Sequence, residues 1–247
     1  MILRPFFSYY GSKHRMAGRY PQPVTGTIIE PFAGSAGYAL WHHRSRVILL
    51  DANPIVAGVW SFLINAREEE VLRIPLLAPD EDVEDLGGVA VEARHLVGFW
   101  LRRAAAHPAR RPSAWMRQAA RVHDGRRDSC FWGEDVRAVI AGQQKFIRHW
   151  SVRCASYSDA PDLTADWFVD PPYQGRPGQQ YRRWGSNHLD YDSLGRWCVA
   201  RRGQVIVCEA EGADWLPFGH LHTGTGTQGT HRTGITHEAM WHQQAVG

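Results

Sequence analysis

The sequence predicts an α/β fold built on a doubly wound, mostly parallel sheet, and three observations predict it. Two apolar runs at residues 27–30 and 46–51 read as buried strands on either side of a helix that starts near Ser35. Three later apolar runs read as further strands at 151–157, 167–170 and 204–208. The strand pattern is missing over residues 65–149, between the second and the third of these five strands. The sequence therefore predicts one sheet with a long insertion.

The first two strands and the helix between them form a βαβ unit, which implies parallel pairing and a right-handed crossover. A turn of small residues, 32–37, joins strand to helix. A helix over about 188–200 separates the last two strands. Alternation of this kind is typical of a doubly wound sheet.

The segment 65–149 is predicted to be a mostly helical insertion between the second and third strands, which leaves 1–64 and 150–247 as the main domain. Helical spacing of apolar residues is clear at 91–106, 113–122 and 134–150. Arginines alternate there with aromatic residues, at 94, 102, 103, 110, 111, 117, 121, 126 and 127 and at 100, 115, 131 and 132. The arginines could grip phosphates while the aromatic rings stack on bases. Alternatively, the arginines are the solvated face of a helical lid and the aromatic residues are its core.

Composition limits the possible classes. With 44% hydrophobic and 21% charged residues the chain of 247 residues is typical of a soluble globular protein. A net charge of +3 permits a polyanionic partner without requiring one. The four cysteines form no CxxC pair, and no apolar run is long enough to span a membrane. We therefore expect a reduced, cytoplasmic protein that does not bind a membrane.

The motif with the most specific chemistry is Asp170-Pro171-Pro172-Tyr173, which ends an apolar strand. An exocyclic amine is a poor nucleophile because its lone pair is delocalised into the ring. Asp170 and the Pro171 carbonyl could each accept one of its hydrogens, while the prolines fix the backbone. Tyr173 offers a flat face for a base rotated out of a duplex. The motif therefore predicts methylation of a base amino group.

A second motif, the small-residue turn after the first strand, is suited to a nucleotide-like cofactor. Gly34 and Gly37 let the backbone come close to a ligand, and Glu30 could reach its amino-acid part. Asp51 ends the second strand, where an acidic residue accepts hydrogen bonds from ribose hydroxyls; alternatively it caps the helix that begins at Pro54. The spacing is not GxGxxG, which disfavours a nicotinamide oxidoreductase.

With these motifs the chain resembles the Dam-like (D12 class) DNA N6-adenine methyltransferases. The resemblance lies in residues 9–13, 30–37, 51–54 and 170–173, in that order, and in Tyr181, Trp184 and 188–189 further on. It implies a Rossmann-like class I methyltransferase mixed sheet with an inserted target-recognition domain. It also implies S-adenosyl-L-methionine as cofactor, double-stranded DNA as partner, base flipping and direct in-line methyl transfer.

With the resemblance, the cofactor would be held by Tyr9, Lys13, Glu30, Phe32, Gly34, Gly37, Asp51, Tyr157 and Asp170. From the arginine-rich insertion and the loop after the 170–173 motif, we expect contacts with DNA by Arg102, Arg103, Arg117, Arg121, Arg126, Tyr181 and Arg182. Ser156 stands where the family usually has an acidic residue, so we consider Asp159 a possible substitute for the contact with the adenine of the cofactor.

Other functions stay open at this stage. The polymer could be RNA, or the chain could be a nucleic-acid-binding module without catalysis. The histidines near the carboxyl end, at 220, 222, 231, 237 and 242, suggest a metal, but they lack a cysteine partner and a helical HxxxH pair. We therefore expect no metal, and a Gly/Thr-rich hairpin explains these residues equally well. The sequence does not predict the oligomeric state.

Overall fold

The structure, a computed structural model, describes residues 1–78, 80–102, 104–114, 117, 132–228 and 232–245, except for the side chains of Arg182, 225–228 and 232–235. Its strands are β1 Thr27–Glu30, β2 Arg46–Asp51, β3 Ser151–Cys154, β4 Thr164–Val169, β5 Arg202–Ala210, β6 Gly219–Gln228 and β7 Arg232–Gln243. They form one seven-stranded sheet in the order β3-β2-β1-β4-β5-β7-β6. The first five are parallel, and β7 runs antiparallel between β5 and β6. The predicted α/β class is confirmed, and this mixed sheet is consistent with a Rossmann-like fold.

The described helices are α1 Gly37–Trp41, α2 Pro54–Asn65, α3 Glu68–Leu72, α4 Val91–Trp100, α5 Glu134–Gln143, α6 Arg176–Gln179 and α7 Tyr191–Val199. Short 3-10 turns occur at Ala17–Arg19, Val83–Asp85, Gln144–Phe146, Tyr157–Asp159, Arg182–Trp184 and Ser186–His188. No helix in the described ranges has the length and apolar character needed to cross a membrane.

The first two strands have the predicted bounds, because each is a continuous apolar run that is buried on both faces. The later strands differ at their ends: β3 stops at Cys154, and β5 extends to Ala210. Helix α4 ends at Trp100 rather than at 106, because the chain folds back over it. The amide of Ala109 donates to the carbonyl of Gly98, and a Cβ on Gly98 would lie 2.7 Å from Pro108.

The two faces of the sheet carry separate apolar clusters, as alternate residues along each strand point to opposite sides. Ile28 and Phe168 face one cluster, whereas Ile29 and Trp167 face the other. Helix α1 packs on the first face through Tyr38, whose ring stacks on that of Phe168 at 4.5 Å between centroids. This contact fixes α1 relative to β4 directly below the site.

Within 65–149 the described residues form helices and turns but no strand. Their buried side chains, including Trp132, join the same apolar cluster as Phe6 and Phe168. Trp100 donates from its indole nitrogen to the Phe6 carbonyl at 3.0 Å. Of the described tryptophans of the segment, Trp132 is buried in the core and Trp100 packs half-buried against it, which favours the interpretation of a helical lid for them. A separate recognition domain at 65–149 stays a prediction.

Candidate active site

The site lies where the strand order reverses, at the carboxyl ends of β1 and β4. The chain leaves β1 towards β2 on one side, whereas β4 and β5 lie on the other. In open α/β sheets this crevice is where ligands bind. Glu30 ends β1, Asp51 ends β2 and Asp170 follows β4, so three carboxyl groups meet at one edge of the sheet.

A cavity of about 480 Å³ opens at this edge, a size within the range of small-molecule sites. Every residue predicted to bind the cofactor lines it: Tyr9, Lys13, Glu30, Phe32, Gly34, Gly37, Asp51, Tyr157 and Asp170. Of the motif at 170–173, Asp170 and Pro172 line the cavity, whereas Pro171 and Tyr173 are not among its lining residues. The stacking role of Tyr173 and the carbonyl role of Pro171 stay predictions.

Four polar side chains form a connected network beside the cavity. Lys13 is buried, and its Nζ lies 3.0 Å from Asp170 Oδ1 and 4.0 Å from Glu238 Oε2. It also lies 4.6 Å from the centroid of the Tyr173 ring, a cation–π distance. The Tyr173 hydroxyl donates to Glu238 Oε2. The network thus joins the N-terminal segment, the 170–173 motif and β7.

The Asp170 carboxyl group is held at one oxygen by Lys13. Its Oδ1 is buried and accepts no hydrogen bond of good geometry from the described residues, although Lys13 pairs with it. Burial raises the pKa of Asp170 to about 6, with Lys13 lowering this pKa and Glu238 raising it. Burial lowers the pKa of Lys13, but Asp170 and Glu238 raise it by more, so this pKa lies above its ordinary value. At neutral pH the cavity therefore presents an ionised carboxylate beside a fixed ammonium.

The other two carboxyl groups are held by backbone amides. Glu30 Oε1 accepts from Ala39 N at 2.7 Å, and burial raises the pKa of Glu30 to about 8. Asp51 accepts from Gly34 N at 3.0 Å and from Asn53 N at 2.9 Å, and burial raises the pKa of Asp51 to about 6. The cap of α2 is Asn53, which accepts from Ile55 N, and not Asp51. Asp51 does not cap the helix and instead lines the cavity as a half-buried residue.

One wall of the cavity is formed by aromatic side chains. The rings of Phe32 and Tyr157 stack at 5.6 Å between centroids with an angle of 24° between their planes. Ser156 also lines this wall, but Asp159 is not among the lining residues. The Asp159 carboxylate instead accepts from Ser156 N at 3.2 Å and caps the turn Tyr157–Asp159. The structure thus gives Asp159 a local structural role.

The N-terminal segment reaches the site because two glycines make room for it. A Cβ on Gly37 would lie 2.5 Å from His14 N and 3.0 Å from the Lys13 carbonyl carbon. Gly11 has φ +73°, and a Cβ there would lie 2.7 Å from the Tyr181 hydroxyl oxygen. Gly37 was predicted to bring backbone close to a ligand, and the structure shows that it also lets the backbone of Lys13 cross the start of α1.

The loop after the 170–173 motif is tied down at two points. The Tyr191 hydroxyl donates to the Pro172 carbonyl, and Gln174 N donates to Glu209 Oε2 at 3.2 Å. Glu209 is fully buried and also accepts from the Trp215 indole at 3.1 Å. Sequence analysis did not identify Glu209, Tyr191 or Glu238 as site residues. Tyr191 and Glu238 contact the motif, and Glu209 contacts Gln174 directly after it, only because sheet pairing or helix packing joins segments distant in sequence.

The residues predicted to contact DNA are only partly described. Arg103, Arg121 and Arg126 lie outside the described residues, as does the side chain of Arg182. Arg102 is exposed at the end of α4, and Arg117 donates to the Pro112 carbonyl at 2.6 Å. Tyr181 lines the cavity, with its hydroxyl donating to the Tyr10 carbonyl at 3.0 Å.

Two further arginines of the segment 65–149 have structural partners. Arg110 and Arg111 both pair with the buried carboxylate of Asp82, at 3.1 and 3.3 Å. Near the cavity, the guanidinium carbon of Arg183 lies 4.8 Å from the centroid of the Trp184 ring, and both residues line the cavity. Arg183 is therefore a cation at the mouth of the cavity that sequence analysis did not single out.

Comparisons with known proteins leave the family open. No protein-family model matches the chain, and no curated protein matches it. A solved structure of a conserved hypothetical protein from Streptococcus pyogenes is similar over 93% of each chain, with 12% sequence identity and a TM-score of 0.31. A likeness at that TM-score supports no conclusion about fold or function, so the functional argument depends on the site alone.

Proposed function

We propose that this protein is an S-adenosyl-L-methionine-dependent methyltransferase that acts on the N6 amino group of adenine in double-stranded DNA. The observation behind the proposal is the cavity beside Asp170. One cavity at the carboxyl edge of the sheet is lined by every residue expected to bind the cofactor and by the acidic residue of the 170–173 motif. The seven-stranded mixed sheet is consistent with the class I methyltransferase fold that the sequence resemblance implies.

The residues present fit that cofactor. Its ribose hydroxyls are donors, and Asp51 is a half-buried acceptor at the end of β2 that lines the cavity. Its amino-acid part carries an ammonium group, for which Glu30 supplies a buried carboxyl group whose pKa of about 8 a nearby cation would lower. The stacked rings of Phe32 and Tyr157 offer an apolar wall for a purine. When bound, the cofactor would supply a methyl group on a positively charged sulfur.

The protein's own part in the reaction is to orient the amine. Asp170, which lines the cavity, is the acceptor for one amino hydrogen through the carboxylate oxygen that Lys13 does not hold. Lys13 keeps this carboxylate ionised near neutral pH and holds its position. The contacts of Tyr191 and Glu209 with the loop at 172–174 restrict backbone movement around the motif. Orientation and fixed charges are the means by which such a site lowers the barrier.

The test is to incubate the protein with S-adenosyl-L-methionine labelled in its methyl group and with duplex DNA, and to identify the methylated base after digestion. We expect N6-methyladenine, and a loss of at least a hundredfold in rate for Asp170→Ala. Asp162→Ala is the matched control because Asp162 is exposed and pairs with Arg202 at 3.2 Å, on the opposite edge of the sheet from the motif.

Three outcomes would contradict the proposal. Methyl transfer to cytosine would refute the choice of base. Faster transfer to structured RNA than to duplex DNA, in competition, would support an RNA adenine methyltransferase instead. Binding of nucleic acid without binding of the cofactor in calorimetry would indicate a module without catalysis.

A further inference from the structure

Three potential metal ligands come together outside the cavity, at the base of the β6–β7 hairpin. Glu211 follows β5, His220 lies in β6 and His237 lies in β7. His237 Nδ1 is 3.4 Å from Glu211 Oε2, and His220 Nδ1 is 3.9 Å from Glu211 Oε1. One ligand atom from each of the three residues lies within 4.8 Å of the other two. Spacing in the sequence does not reveal this cluster, because it depends on how three segments pair.

The backbone holds the three residues in place. Glu211 N donates to the His237 carbonyl at 3.1 Å, next to the pairing of Ala210 with Glu238. In the hairpin Thr223 lies opposite His237, and the register shifts between His220 and His222. A bulge of this kind re-aims side chains at a strand edge. The ligands therefore stand on hydrogen-bonded sheet segments and not on a free loop.

The ligand types favour zinc among the common divalent ions. Two imidazoles and one carboxylate with a water molecule as fourth ligand are a usual zinc set, whereas Mg²⁺ and Ca²⁺ prefer oxygen ligands. Bonds of about 2.0–2.2 Å in a tetrahedral arrangement place ligand atoms about 3.4 Å apart. The distance between His237 Nδ1 and Glu211 Oε2 already matches this value, and the three side chains are about half exposed. Zinc would replace the contact of Thr223 Oγ1 with His237 Nδ1, now 3.1 Å.

We propose that Glu211, His220 and His237 bind a zinc ion that fastens the hairpin to the end of β5. The site differs from the sequence-based expectation that the protein binds no metal. His237 precedes Glu238, and successive residues of a strand point to opposite faces. Zinc on one face of β7 would therefore steady the residue that accepts the Tyr173 hydroxyl on the other face. The zinc site itself does not depend on the proposed methyltransferase activity.

The experiment uses the full chain, stripped with a chelator, in a zinc titration competed against a chromogenic zinc indicator near neutral pH. We expect one equivalent of zinc to bind, and affinity to fall at least tenfold in Glu211→Gln, His220→Ala and His237→Ala. His222→Ala is the matched control, since His222 pairs in register with Glu238 and not with the cluster. Cobalt in place of zinc should give the visible absorption of a tetrahedral site, which the His237→Ala variant should lack.

A plain ion pair between Glu211 and the histidines is the competing explanation. It would leave the protein without a stoichiometric zinc site, so no binding in the titration would overturn the proposal. An equal loss of affinity in His222→Ala, or unchanged affinity in all three cluster variants, would also overturn it. Because the three side chains are exposed, we expect the variants to fold, and circular dichroism of each variant checks that a lost site is not a lost fold.

Discussion

The Tyr173 hydroxyl donates a hydrogen bond to Glu238 Oε2 across 65 residues of sequence. The aromatic residue of the motif is therefore positioned by the last strand of the sheet. The same Glu238 oxygen lies 4.0 Å from Lys13 Nζ, so a single carboxylate contacts both of the side chains that approach Asp170.

Replacing Glu238 by Gln should move the acid limb of the pH–rate profile to lower pH. Glu238 raises the pKa of Asp170, which lies at about 6, so neutralising Glu238 lowers that pKa. If ionised Asp170 accepts the amine, the rate falls as pH drops through this pKa, and in the variant the fall occurs at lower pH. The measurement is kcat/KM between about pH 5 and 8. Glu68→Gln, in exposed α3, should leave the profile unchanged, and a shift to higher pH in Glu238→Gln would contradict the assigned role.

Replacing Lys13 by Met should shift the acid limb in the opposite direction. Lys13 lowers the pKa of Asp170, so its loss leaves Asp170 protonated at higher pH. Removing one partner of a buried ion pair typically costs about 3–5 kcal/mol, so the free energy of unfolding in urea should also fall. That loss should be larger at pH 8 than at pH 5, because protonation at low pH relieves the unpaired carboxylate of Asp170.

Lys145→Met is the matched control for this substitution. Lys145 is the only other lysine of the chain and is exposed beside Phe146. It should change neither the pH profile nor the stability by more than about 0.5 kcal/mol. Equal effects of the two substitutions would show that Lys13 has no special part in the site.

Binding of the cofactor should release protons from Glu30. Burial raises the pKa of Glu30 to about 8, so this carboxyl group is mostly protonated at pH 7 in the free protein. The ammonium of the cofactor would lower this pKa and expel the proton. Calorimetry at pH 7 in buffers of different ionisation enthalpy should show close to one proton released by the wild type. Glu30→Gln should release markedly fewer, and equal release by both proteins would refute the contact.

Replacing Gly37 by Ala should displace Lys13. A methyl group at Gly37 would lie 2.5 Å from His14 N, closer than backbone atoms tolerate, so the segment that carries Lys13 must move. We expect a stability loss of about 1–3 kcal/mol and at least a tenfold loss in kcat/KM. Gly142→Ala is the control: Gly142 lies in α5 with no atom within 4 Å of the new methyl group, and Ala should stabilise the helix by up to about 1 kcal/mol. Normal activity in Gly37→Ala would show that the N-terminal segment accommodates the methyl group without displacing Lys13.

The parts of the fold that could be predicted are those where local pattern decides structure. Strands β1 and β2 are continuous apolar runs, and both have the predicted bounds. The turn after β1 and the acidic residues at the strand ends could also be located, because parallel strands bring their carboxyl ends to one edge. This is why the predicted cofactor residues line a single cavity.

The parts that sequence analysis missed depend on contacts between distant segments. Strand β7 is rich in polar residues, and its pairing with β5 is not visible as an apolar run. Glu238, its contribution to the site, therefore gave no local signal. The early end of α4 at Trp100 has a similar cause, since the fold-back over Gly98 is a tertiary contact. The role of the arginines in DNA contact stays a prediction.

The position of β7 between β5 and β6 also bears on the order of events during synthesis. A ribosome adds roughly 5–20 residues per second, so several seconds separate the emergence of Tyr173 from that of Glu238. Until β7 arrives, β5 is an open edge with unpaired amides and carbonyls, which invites pairing with other nascent chains. The strand that completes the network around Asp170 is thus also the one that ends this exposure, so a stalled chain would be both incomplete at the site and prone to aggregation.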